Sequence, residues 1–412
     1  MSYDYTYFTC LTNNSDSQHT GSTVEPSLQF NEDRQNPIIT NTKQYDVAIT
    51  NFKLDTKCLP SFIPVIKYNK NTDKTQDTEV RMETIYEVTY SVTIENKLYS
   101  ATAPCKFIPQ DETVSGTMPP QFINGYADYK SGFYNVYNYE NFFKSVNEAL
   151  RLCAFLLQTV LLNYFPDVYY VFPATGIGDF PIPYFIFDKD SSLAYVNAPA
   201  KTFDITMPYG ITLYLNSPLY RLFDSIPFTK KTLNFNTLNY LTKARETITV
   251  DLHKINFNNF ENTNLISLIP KYVSSDALAT EAKKIDHFII YQDYETLTSW
   301  SPVESLVITS NTLPIKPSVV SQNHSYVQGF ETTEGSSNII EMELNDFRGG
   351  QLKAGVIYDP TNYRWINMLD MAELKHINFQ VFYRLKINGA LIPFKLNSGG
   401  SFGLKLCFRK LK

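Results

Sequence analysis

The sequence has few charged residues, and this low charge excludes one large class of binding protein. Charged residues make up 19% of the 412 residues, and the formal net charge is −5. Proteins that hold nucleic acid through bulk charge are usually basic. The one basic cluster here is the C-terminal run Arg409, Lys410 and Lys412. We therefore expect no sequence-specific binding of nucleic acid.

Cysteines are also few, and their spacing is unlike that of a metal site or a disulfide framework. They are odd in number, widely spaced and without a C-x-x-C pair, at Cys10, Cys58, Cys105, Cys153 and Cys407. A structural zinc site needs closely spaced pairs of ligands. The first residues lack the basic start and the apolar run of a signal peptide. These absences predict free thiols and synthesis in the reducing interior of a cell.

Long apolar runs are missing as well. The most apolar stretch, Ala149–Leu162, is interrupted by Arg151 and Gln158. A helix that spans a bilayer needs about 20 predominantly apolar residues, and this stretch is shorter. The sequence therefore predicts no membrane span.

Two short motifs look like catalytic or cofactor sites but lack the surroundings that the chemistry needs. Ser401 stands in a G-x-S-x-G pattern, which requires a strand before the serine, a helix after it, and an acid and a histidine downstream. No His, Asp or Glu follows Gly403. The pair Gly176 and Gly178 lacks the third glycine and the βαβ frame of a dinucleotide site. We expect neither motif to be functional.

The histidines do not form a metal-binding pattern either. None stands at metal-ligand spacing from another, and the five are His19, His253, His287, His324 and His376. A structural role explains each better than metal ligation does. The sequence therefore predicts no catalytic, cofactor-binding or metal-binding residue and no cofactor, and we do not expect an enzyme.

Aromatic residues are plentiful, in contrast to these absences. Tyr and Phe number 29 each, against 2 Trp. Tyrosine combines apolar area with a hydroxyl that can stay hydrated, so it suits half-buried faces and protein interfaces. The composition fits either a protein with large interfaces or an aromatic-rich β core.

Short alternating runs predict an all-β fold. Residues 402–409 alternate large apolar with small or polar side chains, which is typical of a strand with one buried face. Asn388-Gly389 predicts a hairpin. Further strands are expected at 45–49, 87–95, 185–187, 203–207, 211–215, 247–252, 287–291, 306–309, 339–344, 377–385 and 391–394. Many short strands separated by turns predict a jelly-roll β-sandwich, either one enlarged or two in tandem.

One long amphipathic helix is expected near residues 140–164. Apolar residues recur there at spacings of three and four, from Phe142 to Tyr164, as on a helix with one buried face. Asn138 or Asn141 is suited to cap the start, and Pro166 follows the end. The helix either packs on a sheet or docks a partner.

Polar runs suggest how the chain divides into domains. The first thirty residues are mostly polar, so residues 1–30 are predicted to form an extended N-terminal arm. Polar runs at 229–231 and 243–245 suggest a boundary between a β-rich domain with a helical insertion, residues 31–240, and a jelly-roll-like β-sandwich domain, residues 241–412.

The order of several short motifs is similar to that in a family of viral proteins. The motifs are PII at 37–39, YDVAITNFKL at 45–54, LPSFIP at 59–64, FYNVYNY at 133–139, NEA at 147–149, SWSPV at 299–303, VITS at 307–310, LPI at 313–315, YDPTNYR at 358–364, FQVFYR at 379–384, PFKL at 393–396 and GGS at 399–401. From about residue 30 to the C-terminus, the chain resembles the minor capsid, or penton-type, proteins of Polinton/Maverick-like elements and related small eukaryotic DNA viruses.

This resemblance implies a structural protein of the virion. It implies a jelly-roll subunit, often a pentamer at capsid vertices, that assembles with itself and with other viral capsid proteins inside the host cell. No catalytic residue carries over from the family. The alternative is a β-sandwich module that binds a host receptor or a glycan, for which the tyrosine-rich loop Tyr126–Tyr139 is the candidate surface.

Overall fold

The structure is a computed structural model, and it describes most of the chain. The described residues are 4–13, 28–57, 59–67, 80–110, 119–120, 122–123, 126–127, 132–165, 182–188, 190–203, 209–233, 250–255, 287–315, 338–343, 355–387, 389–396 and 400–411. Within them lie twenty β-strands and four α-helices.

The strands are short, as the turn-rich sequence predicts. They are β1 Tyr5–Asn13, β2 Gln29–Asp33, β3 Tyr45–Asp55, β4 Glu83–Ile94, β5 Lys97–Lys106, β6 Phe122–Ile123, β7 Tyr126–Ala127, β8 Tyr184–Asp188, β9 Leu193–Pro199, β10 Thr212–Asn216, β11 Phe228–Leu233, β12 Val250–Ile255, β13 His287–Tyr291, β14 Val303–Ser310, β15 Asn338–Glu343, β16 Gly355–Tyr358, β17 Ile366–Asn367, β18 His376–Leu385, β19 Leu391–Pro393 and β20 Ser401–Lys410. The helices are α1 Tyr139–Tyr164, α2 Ala200–Phe203, α3 Ser217–Leu222 and α4 Leu297–Trp300.

The chain folds into two compact units. Met1–Phe62 and Ser301–Lys412 together form the jelly-roll unit, and Ile63–Trp300 forms the insertion unit. This division differs from the predicted domains 31–240 and 241–412, because strands from the two ends of the chain pair with each other. The predicted boundary near residue 240 lies outside the described residues.

The jelly-roll unit consists of two antiparallel sheets whose strand order identifies the fold. One sheet has the order β1-β20-β3-β16, with β17 also on β3, and the other has the order β15-β14-β18-β19, with β2 on β18. If β1, β2, β3, β14, β15, β16, β18 and β20 are lettered B to I in chain order, the sheets read B-I-D-G and C-H-E-F. This order is that of a single jelly roll, with the insertion unit between strands D and E. The predicted jelly-roll class is therefore confirmed.

The core of this unit comes from the alternation visible in the sequence. In β20, Phe402, Leu404, Leu406 and Phe408 are buried, and the ring of Phe402 packs edge-on against Phe52 of β3 at 5.6 Å. A bulge at Lys405/Leu406 shifts the register between β20 and β3. The predicted strand at 402–409 therefore lies between β1 and β3, at the centre of its sheet.

The N-terminal residues do not all form a separate arm. β1 pairs with β20 along its whole length, from Tyr5 opposite Arg409 to Asn13 opposite Ser401. Phe8 and Cys10 of β1 are buried, so this strand has an apolar face of its own. Residues 14–27, which carry most of the polar run, lie outside the described residues.

The insertion unit is built around α1. A five-stranded sheet of order β11-β12-β10-β4-β5 and a three-stranded sheet of order β13-β9-β8 accompany it, and α1 packs on β4, β5 and β8. The side chain of Asn138 accepts a hydrogen bond from the Glu140 amide at 2.9 Å, which confirms Asn138 as the helix cap. Phe203, predicted to begin a strand, instead ends α2, where its ring packs against Tyr90 at 5.6 Å.

The length of α1 corrects one argument made from the sequence. Among the described residues, α1 is the single helix that is long and apolar enough, by length and composition alone, to cross a membrane. The stretch Ala149–Leu162 is thus only part of a longer helix. The buried residues of α1, such as Val146, Leu150 and Leu157, face the strands of the insertion unit, as in a core helix packed on a sheet.

Candidate assembly surface

Neither rejected motif lies in a catalytic setting within the described residues. Ser401 is the first residue of β20, and the residues after it continue as a strand rather than a helix. A nucleophile elbow needs a strand-turn-helix. Residues 176–178 lie outside the described residues.

Among the described histidines, His253 packs against an aromatic ring. The His253 ring stacks on Tyr220 with centroids 4.4 Å apart, and its Nε2 lies 3.2 Å from the Ser217 hydroxyl. His376 is exposed at the start of β18, and His287 begins β13. His19 and His324 lie outside the described residues. In the part of the chain that the structure describes, no group of three or more His, Cys, Asp or Glu side chains is placed to hold a metal ion.

The described cysteines are free and buried, as expected from their spacing. They are Cys10, Cys105, Cys153 and Cys407; Cys58 lies outside the described residues. Burial raises the pKa of the Cys105 and Cys407 thiols above the usual value, because a thiolate is poorly solvated in the core. These thiols are therefore poor nucleophiles.

Two tyrosines of the loop that the sequence offers as a receptor or glycan surface lie in the core. Tyr134 and Tyr139 are buried, and the Tyr134 hydroxyl donates to the Arg81 carbonyl at 3.1 Å. The Tyr139 ring packs edge-on against Trp300 at 5.7 Å. For these two residues the interpretation as a binding surface is wrong, because their rings fill the interior of the insertion unit.

The exposed aromatic surface of the jelly-roll unit lies instead on the B-I-D-G sheet. Its side facing away from the sandwich core is defined by the pairing of Tyr5 with Arg409, Leu11 with Gly403 and Lys53 with Ile357. We call it the outer BIDG face, and its residues are Tyr5, Tyr7, Thr9, Leu11, Asp46, Ala48, Asn51, Lys53, Asp55, Gly355, Ile357, Asn367, Gly403, Lys405, Cys407 and Arg409, with the ring of Trp365 against Tyr5 and Arg409.

One end of the outer BIDG face carries rings and cations in contact. Ring centroids of Tyr5 and Tyr7 are 6.5 Å apart, and those of Tyr5 and Trp365 are 6.3 Å apart. The Lys405 ammonium lies 4.8 Å above the Tyr7 ring, and the Arg409 guanidinium lies 4.2 Å above the Trp365 ring. Such contacts between cations and aromatic faces fix both partners in place.

A largely buried ion pair anchors this end. Arg409 Nη2 donates to Asp46 Oδ2 at 2.7 Å, and Asp46 is buried while Arg409 is partly exposed. A charge-assisted bond to a buried carboxylate holds the guanidinium in one position. The Arg409 and Trp365 planes are thus held in place before any partner arrives.

The other end is apolar and open. Leu11 is 74% exposed and Ile357 is 67% exposed, and the two lie on the same side of one sheet. Between them lies Gly403, where an added Cβ would stand 3.3 Å from Leu11 Cδ2 and 3.8 Å from the Lys53 Cβ. Because Gly403 has no side chain, Leu11 can lie across β20, and the face is flat at this point.

The opposite sheet of the sandwich differs in exposure. On the side of the C-H-E-F sheet facing away from the core, Val307, Phe382 and Leu391 form a buried apolar cluster, and Arg384 is buried as well. Among the described residues, large apolar side chains are therefore exposed on the outward side of the B-I-D-G sheet, whereas this apolar cluster on the outward side of the C-H-E-F sheet is buried.

The sequence of β1 carries a signal for this face. Residues 5–11 alternate, with Tyr5, Tyr7 and Leu11 on one side and Phe8 and Cys10 on the other. The neighbouring polar run hid the pattern. The partners Trp365 and Arg409 are more than 350 residues away in the chain, so only the fold brings them to β1.

The comparison with known families covers nearly the whole chain. The model of the family described as "Sputnik minor capsid protein V18/19" matches residues 6–410. The chain belongs to the Sputnik minor capsid protein V18/19 family. No curated protein sequence matches this family member significantly.

Solved structures share the fold of this minor capsid protein. A chain of the Sputnik virophage structure determined by cryo-EM aligns with a TM-score of 0.68 and 20% identity, covering 99% of this chain and 98% of that one. The mavirus penton protein aligns with a TM-score of 0.54 and 14% identity, covering 99% and 100%. Both likenesses concern the fold. Family membership makes the chain a structural component of a virion, which confirms the predicted capsid role.

Proposed function

We propose that this minor capsid protein is the vertex, or penton, subunit of its virion. The single observation that carries the proposal is the pairing of a complete B-to-I jelly roll with one exposed aromatic sheet face, in a chain that matches a minor capsid family from residue 6 to residue 410. The solved penton protein of mavirus aligns over the full length of this chain, which supports the same role. Subunits at a vertex need a side surface that meets a neighbour, and the outer BIDG face provides one.

The ring is expected to contain five copies. A closed ring forms when one patch of a subunit meets a different patch on the next copy and the rotation closes. Vertices of an icosahedral shell have fivefold symmetry, so a pentamer is the expected state. The exposed Tyr5, Leu11 and Ile357 support association, because burial of apolar area contributes about 25 cal/mol per Å².

A second surface is suited to contact other shell proteins. Met371 is 67% exposed, yet its loop is held rigidly by backbone bonds from Leu369 to Pro314 at 2.7 Å and from Leu374 to Ile39 at 2.8 Å. Because these bonds already hold the backbone of the loop, binding there costs little backbone entropy. We assign this loop, residues 369–375, to contacts with neighbouring capsid proteins.

In the proposed role the chain is a structural protein and not an enzyme, and it is made in the interior of the host cell. The buried, weakly acidic thiols support a reduced chain. A receptor- or glycan-binding module is less well supported, because Tyr134 and Tyr139 of its candidate loop are buried.

Coexpression with the major shell protein of the same genome tests the proposal. Purified particles should contain the chain at a fixed, low stoichiometry near five copies per vertex, measured by quantitative mass spectrometry. Expression of the shell protein alone is the control, and its particles should lack the vertex component. Particles that never incorporate the chain would contradict the vertex role.

A further inference from the structure

The outer BIDG face has an exposure and a rigidity that a monomer does not need. The Asp46–Arg409 pair holds the guanidinium that lies over Trp365, and Leu11 and Ile357 stand open to solvent. We propose that this face is the contact surface for the next copy of the same chain in the ring. The proposal rests on the vertex role and names the surface through which it is carried out.

The area of the face fits one subunit contact. With strands about 4.8 Å apart and about 3.3 Å per residue, three strands of about nine residues and the four-residue β16 cover roughly 500 Å². Stable protein pairs bury roughly 800 Å² on each partner. A single contact of this size is weak, whereas a ring gives each copy two such contacts. Assembly should therefore depend strongly on concentration and on ring closure.

The charges on the face favour a copy of this chain over nucleic acid. Arg409 is neutralised by Asp46, which leaves Lys53 and Lys405 as further cations and Asp55 as a further acid of the face. Two lysines are few for a surface that tracks a phosphate backbone. The whole chain has a formal charge of −5, so the rest of each copy is more acidic than this face. The face has more cations than acids whereas the rest of the chain is acidic, so the charges favour contact between copies.

The composition of the face resembles that of an interface centre. Tyr, Trp and Arg are the residue types that dominate binding energies when they lie at the middle of a contact. Trp365 contacts both the Tyr5 ring and the Arg409 guanidinium, and Tyr7 lies beside Tyr5. Removing one ring or reversing one charge should therefore weaken assembly many-fold while leaving the sandwich core untouched.

A matched pair of variants separates this face from the rest of the surface. Tyr7→Ser and Lys405→Glu alter a lysine-over-tyrosine contact on the outer BIDG face. Tyr164→Ser and Lys97→Glu alter the same kind of contact in the insertion unit, where Lys97 Nζ lies 5.8 Å from the Tyr164 ring. Tyr7 and Tyr164 are similarly exposed, at 57% and 63%, so the two pairs change charge and area alike.

Native mass spectrometry and sedimentation over a concentration series measure the association of each variant. The face variants should need at least ten-fold more protein than the wild type to form the ring, and the insertion-unit variants should stay within two-fold. Thermal unfolding of each of the four variants should show a single cooperative transition, as expected of a folded protein. Face variants that assemble like the wild type, or control variants that fail equally, would overturn the proposal.

Tryptophan fluorescence supplies an independent readout. Trp300 is buried and Trp365 is partly exposed, and these are the two tryptophans of the chain. Acrylamide should quench Trp365 in the monomer and quench it at least two-fold less in the ring. Unchanged quenching in a confirmed ring would place the interface elsewhere, and protection by added DNA but not by assembly would make the face a nucleic-acid surface. If the wild type forms no ring even with the shell protein, the vertex role itself fails, whereas a ring formed equally by all variants removes only this inference.

Discussion

At the residue scale, the thiol of Cys153 is buried where α1 packs on β4 and β5. Its Sγ donates to the Ala101 carbonyl of β5 at 3.0 Å. Burial is the largest cause of a pKa raised from the usual 9.0 to about 12, because the thiolate would lose its hydration. The thiol therefore stays protonated in the folded protein well above the pH at which it ionises in the unfolded chain.

This shift predicts a loss of stability at alkaline pH. Since the folded pKa is raised, the contribution of Cys153 is fully present below pH 9 and disappears as the pH rises through about 12. At pH 11 the loss attributable to this group should be on the order of 2 kcal/mol. Urea unfolding at pH 8 and pH 11 should show a smaller alkaline loss for Cys153→Ala than for the wild type. Equal losses in the two proteins would contradict the assignment.

Asn197 is a buried polar side chain without a hydrogen-bond partner among the described residues. Both its amide oxygen and its amide nitrogen are buried and unbonded there, on the central strand β9. An unsatisfied buried polar group costs about 1–3 kcal/mol. Asn197→Leu should therefore leave the free energy of unfolding unchanged or raise it by that amount.

Asn147 provides the matched control for this change. Its side chain donates to the Phe185 carbonyl at 3.0 Å and accepts from the Phe185 amide at 2.7 Å. Asn147→Leu removes both bonds and should lower the free energy of unfolding by about 1–3 kcal/mol. If Asn197→Leu destabilises the protein as much as Asn147→Leu does, Asn197 has a bonded partner in the folded protein.

At the scale of elements, β20 is the strand on which the jelly-roll unit depends. It lies between β1 and β3 and buries four large apolar side chains in the core. Removal of residues 399–412 would delete these side chains and leave β1 without its pairing partner. Each large-to-small core change costs roughly 2–5 kcal/mol, against a total stability of about 5–15 kcal/mol.

The truncated protein is therefore expected to be insoluble. A shorter truncation, of residues 411–412, keeps the whole of β20 and should give a soluble protein that melts near the wild-type temperature. Solubility and thermal unfolding measured in parallel decide the point. A soluble, cooperatively melting protein that lacks residues 399–412 would show that β20 is peripheral.

Local periodicity explains which elements were predictable. Strands β18 and β20 and helix α1 have long, regular patterns, and each occurs close to its predicted bounds. Phe203 was mistaken for a strand residue because a short apolar run does not distinguish a helical turn from a strand. The N-terminal strand was missed because its small and hydroxyl-bearing residues carry a weaker alternation than Phe and Leu do.

At the scale of the whole molecule, the features that the sequence did not predict are those that depend on pairing between strands far apart in the chain. The jelly roll is interrupted after its strand D, and strand E begins only at Val303. Periodicity depends on residues a few positions apart in the chain, so it predicts individual strands. It does not predict that the first and the last strand lie in the same sheet. The same limit applies to the outer BIDG face, since Tyr5, Trp365 and Arg409 meet only once that sheet has formed.

In the proposed ring, the exposed sheet face of each subunit is covered by a neighbouring copy. The low charge and many tyrosines of the chain would then have one physical explanation, because aromatic residues would serve both the core and the contact between copies.

The most direct test is cryo-electron microscopy of particles made by coexpression with the major shell protein. The account predicts density for five copies of this jelly roll around each fivefold vertex, with Tyr5, Tyr7 and Trp365 against the adjacent copy. Vertices filled by another protein, with this chain absent from the particles, would contradict it.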